Sequence, residues 1–565
     1  MKNLNKILAY VLAFITVQGY ATTIKFDDFY KDGDDGIAVM NRILKDVKAT
    51  NGKQTTIVFS KKLYNFPISR NGDALLELKE MKNVTIDGNG ATVVIHPCNS
   101  FSFLRKCENI VIKNFITRYS IKDFTQGFVS EVNAKDGYFT FKVQDCYPLL
   151  PSDDFVKKYS RRGWSWGSMY QPDKPMLKFD SINHVIFIKK IERTSENNVY
   201  KVFPKSKRLL KTTNKNDRFL MSTFYEYNKN KHSGHVSVLN SANITFENLE
   251  AQGIKGMFGA GHCLAYFGGN NDGLITIKKC KITYRDKGDL TAGVVDGVHF
   301  KNNKIGPHII GCCFEGILDD HVNISANPIR IVKDLGNNKY KLSRHTYIVK
   351  VGTKLGVYYA DTGKWADGIT VVAKKHNIIE TDKPIPDVIE WIPQDQLAYT
   401  TGEVWKNQNQ THLFSMDYLS DNFKVADNYF GIQRVRAIVV RSRNGIIENN
   451  TFENSNIGIW IGNEAGNFHE GPVPQNIVVR NNVFRNIQRN CVLISATNSQ
   501  KNFVEQLCNL KFSNNKYYLS KTSKNRAVVI TNGRDITFEN ETYIAPDGST
   551  LSEKQAVKRF LPKKK

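Results

Sequence analysis

What the sequence lacks narrows it first. No stretch approaches the roughly 18 or more apolar residues of a membrane-spanning helix, and the run Ile7–Val17 near the start is too short to be one. The nine cysteines are an odd number, scattered without the spacing of a disulfide framework. They read as free thiols packed like small hydrophobes, Cys312-Cys313 among them. Nowhere do Cys and His cluster at zinc-ligand spacing, so no metal site is expected. Neither is there a clear set of calcium-binding acids with a basic proton abstractor, which a polysaccharide lyase would use. Helix-turn-helix, zinc-finger and aromatic-plus-basic ribonucleoprotein patterns are all missing, so nucleic acid is not an expected partner. Negative charge is in the minority, with 54 Asp and Glu against 79 Lys and Arg and a net charge of +25. That excess reads as a solvated basic surface, or as attraction to acidic glycans or an anionic cell surface.

What is present begins with an export signal. Lys2 and Lys6 precede the apolar run, and Gly19-Tyr20-Ala21 supplies small residues for cleavage. Residues 1–21 are expected to be removed, leaving a protein without membrane insertion that is periplasmic or secreted. No cysteine stands at the cleavage point to carry a lipid anchor. At 565 residues, 41% of them hydrophobic, the chain can bury a large core.

The stretch from Val294 to Ile324 organises the rest. Asp296-Gly297-Val298-His299-Phe300 is echoed 24 residues later by Asp320-His321-Val322-Asn323-Ile324. A strand recurring every 20 to 25 residues or so marks a solenoid whose coils stack. On that reading Val298 lies on Val322 and Phe300 on Ile324, all four pointing inward by the alternation of a strand. Asp296 then sits at a bend that Gly297 permits, one strand spacing (~4.8 Å) from Asp320. Asp319 brings a third carboxylate to the same edge.

Before this stretch, Asp34-Asp35-Gly36 caps a helix from Ile37 to about Lys48, whose stripe of Ile37, Met40, Leu44 and Val47 covers the open first coil. Thr55–Phe59 is expected as the first rung. Rungs such as Asn83–Gly88, Asn109–Asn114 and Asn243–Asn248 are short alternating strands closed by residues that tolerate left-handed turns. In the C-terminal half Asn428, Asn450, Asn482, Asn515 and Asn540 each precede or nearly precede an aromatic residue, at intervals of 22, 32, 33 and 25. They predict an internal asparagine ladder.

The expected fold is all-β, a right-handed parallel β-helix with an N-terminal capping helix and two inserted antiparallel β-barrel-like domains. Its segments are 22–120, the first barrel 121–235, the central coils 236–325, the second barrel 326–415, the C-terminal coils 416–546 and a basic tail 547–565. In the barrels, Val185–Ile188 and Tyr347–Val351 are among the expected strands. The second barrel leaves the helix just after the aspartates and is expected to wall one side of a cleft.

Clustered carboxylates on a rigid edge suit glycosidic cleavage. One acid, held protonated by its neighbours' charge, donates to the leaving oxygen, while another activates water or attacks the sugar. The trio can supply a separation of roughly 6.5–9.5 Å, which gives inversion, or about 5 Å, which gives retention. Aspartates that merely cap turns are the structural alternative. A polygalacturonase-like hydrolase or a lyase acting on acidic glycans would use the same fold, and a non-catalytic glycan-binding solenoid is the reading from a different class.

The stretch DGVHFKNNKIGPHIIGCCFEGILDDHVNI also resembles the central motif of glycoside hydrolase family 110, exported bacterial α-1,3-galactosidases. The likeness runs from Asp34-Asp35-Gly36 to the last Asn-aromatic rungs. It implies that Asp296, Asp319 and Asp320 are catalytic, that the reaction inverts the anomeric centre, and that no metal or other cofactor takes part. The substrate implied is a terminal α-1,3-linked galactose on an oligosaccharide or glycoconjugate, of blood-group B or linear type. The family's next landmark reads here Gly458–Glu464, then Phe468-His469-Glu470-Gly471-Pro472-Val473, with Gly466-Asn467 where aromatic residues are frequent. Glu464 and Glu470 are candidates for binding sugar hydroxyls. Trp460 reads as core packing or a stacking platform. His299 and His321 flank the acids, as structural residues or ligand contacts, and Arg441 can orient a carboxylate or a hydroxyl.

Overall fold

A computed structural model describes residues 22–66, 73–96, 99–122, 124–150, 166–178, 186–222, 234–254, 258–259, 269–343, 345–392, 409–465, 469–523 and 526–562. The expected export signal, Cys98, Cys263, Val185, the Gly466-Asn467-Phe468 segment and the terminal lysines lie outside them.

The chain is a parallel β-helix. Strand Thr22–Lys25 pairs with Thr55–Val58, that strand with Lys82–Ile95, and that one with Glu108–Tyr119, all in parallel. The first rung is therefore Thr22–Lys25 rather than Thr55–Phe59. The helix follows it, spanning Gly36–Ala49, with the Asp35 carboxylate accepting from the Ile37 and Ala38 amides at 3.1 and 3.2 Å. Ile37, Met40, Leu44 and Val47 are buried as expected, joined by Val39 and Ile43. Each such side chain taken from water contributes about 1.5–3 kcal/mol.

Both insertions interrupt neighbouring coils without displacing them. Ile110 pairs with Ile244 across the first. Ile309 pairs with Val425, and Val322 with Ile438, across the second. Each insertion is a closed barrel of six strands, the first from Phe124–Asn133 to Arg218–Ser222 and the second from Ile329–Asp334 to Thr411–Ser415. In the second barrel Tyr347–Val351 is not a strand. His345 adopts a left-handed φ of 52°, which starts a 3-10 turn over Thr346–Ile348, and Lys350 N then donates to Thr353 Oγ1 at 2.8 Å.

Two internal stacks tie the C-terminal coils together. Phe314, Phe430, Phe452, Phe484, Tyr517 and Tyr543 lie ring on ring, with centroids 4.7 to 5.2 Å apart. Beside them Asn428, Asn450, Asn482 and Asn515 form the expected ladder, each amide oxygen accepting from the coil before. Its last rung is Glu541 and not the expected Asn540, Asn515 N donating to Glu541 Oε1 at 2.9 Å. Cys312 and Cys280 continue it toward the N-terminus, Cys312 N donating to Asn428 Oδ1 and Cys280 N to Cys312 Sγ. Among the described residues seven cysteines are free, four of them buried. No described helix is long and apolar enough to cross a membrane.

Candidate functional site

A seven-stranded parallel sheet forms one flank of the helix, beginning with Val298–Lys301, Val322–Ser325, Gln433–Val440 and Ser455–Gly462. Val298 pairs with Val322 and Phe300 with Ile324, the register read from the sequence. Val298, Val322, Ile438 and Ile459 face the core, so the alternate row of His299, Asn323, Val439 and Trp460 faces outward. The site is built on that outer face.

The three aspartates meet at the entrance of the first two strands. One carboxylate oxygen from each of Asp296, Asp319 and Asp320 falls within 4.8 Å of the others. The two strand entrances are laced by backbone, Gly297 N donating to Asp320 O at 2.9 Å and Val298 N to His321 O at 2.8 Å. The Asp320 amide also donates to Asp296 Oδ1 at 3.2 Å. Gly297 is required for this approach, because a Cβ there would stand 2.7 Å from the His321 carbonyl oxygen. Asp296 and Asp320 are buried, whereas Asp319 keeps 40% of its side chain exposed and is where solvent reaches the trio.

Burial raises all three acids above the usual carboxylate range. Asp296 is pushed up to about 6, with the Glu470 charge adding to burial. Asp319 reaches about 6 through burial and the charge of Asp296. For Asp320 burial and the two neighbouring aspartates prevail, to about 7, against the pull of Arg436. That arginine grips Asp320 with both arms of its fork, Nε to Oδ1 at 2.7 Å and Nη2 to Oδ2 at 3.1 Å. Arg434 adds a second cation 3.9 Å from Asp319 Oδ1, and Gln433 Nε2 donates to the Asp319 carbonyl at 2.9 Å. The trio is also the one set of side chains, among the described residues, whose ligand atoms could close on a metal ion. Two arginines already bring positive charge to it.

A second network stands beside the first. Glu464 and Glu470 pair across a narrow loop, each amide donating to the other's carbonyl at 2.8 and 2.9 Å. Arg441 lies fully buried between their side chains, 2.9 Å from Glu464 Oε2 and 2.5 Å from Glu470 Oε2, and also reaches Asn323 Oδ1 at 3.2 Å. Lys301 occupies the other oxygen of Glu470. Burial opposes it, but Lys301 and Arg441 hold Glu470 well below the usual range. Glu464 is instead raised, by burial and by the charge of Glu470. Its side chain is 20% exposed, and only one of its oxygens is held by Arg441.

The remaining candidates separate clearly. His299 bridges the two networks, its Nδ1 2.6 Å from Asp296 Oδ2 and its Nε2 3.9 Å from Glu470 Oε1, without the alignment of a hydrogen bond in either direction. Burial lowers it to about 3, so the ring is neutral. His321 does not share the outer face with His299. The bend at Asp320 turns its ring inward, where it stacks on Phe314 and Phe430 with no exposure. Trp460 projects from the outer face of the sheet and is buried there, 9% exposed, as the core-packing reading expects. Its ring is covered by the guanidinium groups of Arg436 and Arg441, 4.7 and 4.9 Å away, and its Nε1 donates to Ser495 Oγ at 2.7 Å.

Both barrels flank this face, where the second alone was expected. Phe124, Tyr170, Leu177 and Leu220 of the first pack on Leu290, Val294 and Leu318, immediately before Asp319. Trp391 of the second stacks edge-on against His469 at 4.7 Å, next to Glu470.

Sequence reasoning missed Arg436, Arg434, Lys301 and Asn323. The available signal was the Arg434-Val435-Arg436 pair, just before the Ile438-Val439-Val440 strand that lies one coil beyond the aspartates. A register irregularity between Gln433 and Arg436 aims the second arginine at Asp320.

Fold and site define a parallel β-helix protein with an arginine-braced carboxylate cluster at the edge of one sheet face. No family model matches the chain. It is similar to alpha-1,3-galactosidase B of Bacteroides thetaiotaomicron, 23% identical over 441 residues, which are 72% of this chain and 64% of that protein. The chain thus spans somewhat less than two thirds of that relative's length. It is similar to alpha-1,3-galactosidase A of the same organism, 23% identical over 538 residues, covering 90% of this chain and 89% of that protein. With alpha-1,3-galactosidase A of Shewanella woodyi it shares 24% identity over 489 residues, 80% and 74% of the two chains. The resemblance to the family 110 α-1,3-galactosidases therefore extends over most of the chain and is not confined to one motif. Among solved structures, the endo-xylogalacturonan hydrolase of Aspergillus tubingensis aligns over 96% of this chain and 100% of its own at 9% identity, with a TM-score of 0.44. The polygalacturonase of Erwinia carotovora aligns over 95% and 96% at 11% identity, with a TM-score of 0.38.

Proposed function

We propose that the protein is an exo-acting α-1,3-galactosidase that hydrolyses terminal α-1,3-linked galactose from blood-group B or linear α-galactosyl glycans, after export to the periplasm or beyond. The observation that carries this reading is the convergence of Asp296, Asp319 and Asp320 on one edge, with Asp319 alone open to solvent. The curated relatives, all named as α-1,3-galactosidases, support the substrate class.

In this mechanism Asp319, raised to about 6 and reachable from the cleft, protonates the leaving oxygen. Asp320 is the carboxylate that acts on water, since the Arg436 fork compensates its charge once it ionises. Asp296 shares that task, held in place by the Asp320 amide. Glu464, whose other oxygen has no partner among the described residues, accepts a galactose hydroxyl. Glu470, with both oxygens occupied by cations, holds Arg441 and Lys301 in position.

Inversion is the outcome the family resemblance implies. One oxygen of each acid lies within 4.8 Å of the others. Carboxyl groups about 5 Å apart retain and those roughly 6.5–9.5 Å apart invert, so retention is kept as the second reading. One experiment tests both. Incubation with branched and linear α-1,3-galactosyl oligosaccharides, followed by proton NMR, should release galactose as the α-anomer first if the reaction retains and as the β-anomer first if it inverts. Absence of galactose release from all of these substrates, with product formed from polygalacturonate, would replace the galactosidase reading by the acidic-glycan hydrolase. Binding without any product would favour the glycan-binding solenoid.

A further inference from the structure

The cleft does not account for the chain's positive charge, because its five acids stand against four fixed cations. Part of the excess lies on the first barrel. Between Ile186 and Arg218 ten Lys or Arg residues stand against three acids. Tyr200, Val202, Phe139 and Phe141 of two adjacent strands fill the barrel core. Alternation therefore sends Lys201 and Phe203 outward on one strand, and Tyr138, Thr140 and Lys142 outward on the next. On the third strand a bulge between Ile188 and Lys190 turns Lys190 outward opposite Phe203.

The result is a strip in which ammonium groups sit over rings. Tyr138 and Phe203 lie 5.3 Å apart. Lys201 Nζ is 4.9 Å from the Tyr138 ring, Lys190 Nζ 5.7 Å from Phe203, and Lys205 Nζ 5.9 Å from Phe187, which is itself 55% exposed. Lys207 lies over the adjacent turn, where a Cβ on Gly137 would stand 3.0 Å from its Cε. Among the described residues Glu192 is the one acid shown paired into the strip, with Lys190. Rings that hold ammonium groups in place reduce the freedom those long side chains lose on binding an anion.

We infer that this outer strip of the first barrel, Lys190, Lys201, Lys205 and Lys207 with Phe187 and Phe203, is a second glycan-contact surface that binds acidic polysaccharide. Lysines meet sulfate esters or carboxylates, and the exposed Phe187 ring meets the apolar face of a pyranose. The surface would hold the protein on an anionic glycan matrix while the cleft trims its termini. It rests on the galactosidase reading only in favouring a glycan over nucleic acid as the polyanion.

The test is a binding measurement on the full chain, without hydrolysis. Wild-type protein should be retarded in gels containing dextran sulfate or hyaluronan and pass freely through neutral dextran, the retardation falling as salt rises. Lys190→Gln/Lys201→Gln/Lys205→Gln/Lys207→Gln should weaken both anionic interactions by at least about tenfold, with unfolding temperature and p-nitrophenyl α-galactoside hydrolysis retained. A charge-matched variant elsewhere, Lys281→Gln/Lys375→Gln/Lys511→Gln/Lys516→Gln, should bind as wild type. Equal weakening in the two variants would reduce the effect to net charge and overturn the proposal. So would tighter binding of duplex DNA than of either polysaccharide, or retardation by neutral dextran. Because no step requires turnover, loss of the galactosidase reading would leave these results intact.

Discussion

At the scale of single residues, the site is a contest between crowding and compensation. Three aspartates packed within 4.8 Å destabilise the fold once all are ionised, and the protein tolerates them by placing arginines beside two. Of those two Asp319 gains less, since Arg434 stays 3.9 Å away. Its folded-state value, about 6, lies above its ordinary value of 3.8. The folded state therefore holds the proton longer, and stability is lost as pH rises through that interval. Asp319→Asn should accordingly unfold at the same temperature as wild type near pH 4 and at a higher temperature near pH 8, read by thermal melts at both. Turnover in that variant should fall about 10²- to 10⁴-fold, as expected on removing a general acid. A wild-type rate would remove Asp319 from the chemistry. Arg436 makes the opposite case. Arg436→Met strips the fork from Asp320, whose carboxyl then rises further, so the acid-side limb of the kcat/KM profile should move to higher pH. Arg436→Lys retains the charge but cannot grip both oxygens, and its limb should fall between the two. Identical limbs in all three proteins would show that Arg436 does not control the base.

At the scale of elements, the coils are held by repeated polar and aromatic contacts more than by any one strand. Asn482 shows how much one rung carries. Its Oδ1 accepts from the Asn450 amide at 2.9 Å and from Asn450 Nδ2 at 3.0 Å, while its Nδ2 donates to Ile447 O and Asn515 Oδ1, both at 3.0 Å. Asn482→Ala strands buried donors and acceptors on two sides, which costs about 2–5 kcal/mol. Urea unfolding should report that loss while kcat/KM stays near wild type, because none of these bonds reaches a residue of the aspartate cluster. This periodic content is what the sequence made legible. Val298 over Val322 and the Asn-aromatic rungs recur at coil spacing, so each copy supports the next, while the helix capped by Asp35 was legible from its own cap and apolar stripe. Strict alternation also misled. It sets His321 on the outer face, but the bend that delivers Asp320 to the edge rotates the next side chain into the aromatic stack. Tyr347–Val351 has strand composition, yet the left-handed His345 ends the pairing. Arg436 was hidden for a different reason, since it lies 116 residues from the aspartate it grips, and pattern reading has no measure of a register shift inside a strand.

At the scale of the whole molecule, the barrels matter because they interrupt the helix where the site is built. The coil that carries Asp320 is followed in space by the one that carries Arg436 and Arg441, and the second barrel occupies the sequence between them. That barrel returns to the site through its own side chains. Trp391 is buried, donates from Nε1 to Thr411 O at 2.7 Å, and meets the His469 ring at 4.7 Å. His469 Nδ1 in turn lies 2.8 Å from Ala465 O, and Gly471 pairs with Ala326 at the barrel's root. The loop bearing Glu464 and Glu470 is thus seated on the barrel, while its carboxylates point back to Arg441 on the helix. Trp391→Phe removes the indole hydrogen bond, worth about 1 kcal/mol, and slackens the seat without touching any group that meets substrate. If Glu464 binds a sugar hydroxyl, KM should rise several-fold while kcat changes little, since the aspartate trio stands on different strands. A fall in kcat at constant KM would instead tie the second barrel to the acids themselves. Unchanged constants would leave it a spacer and nothing more.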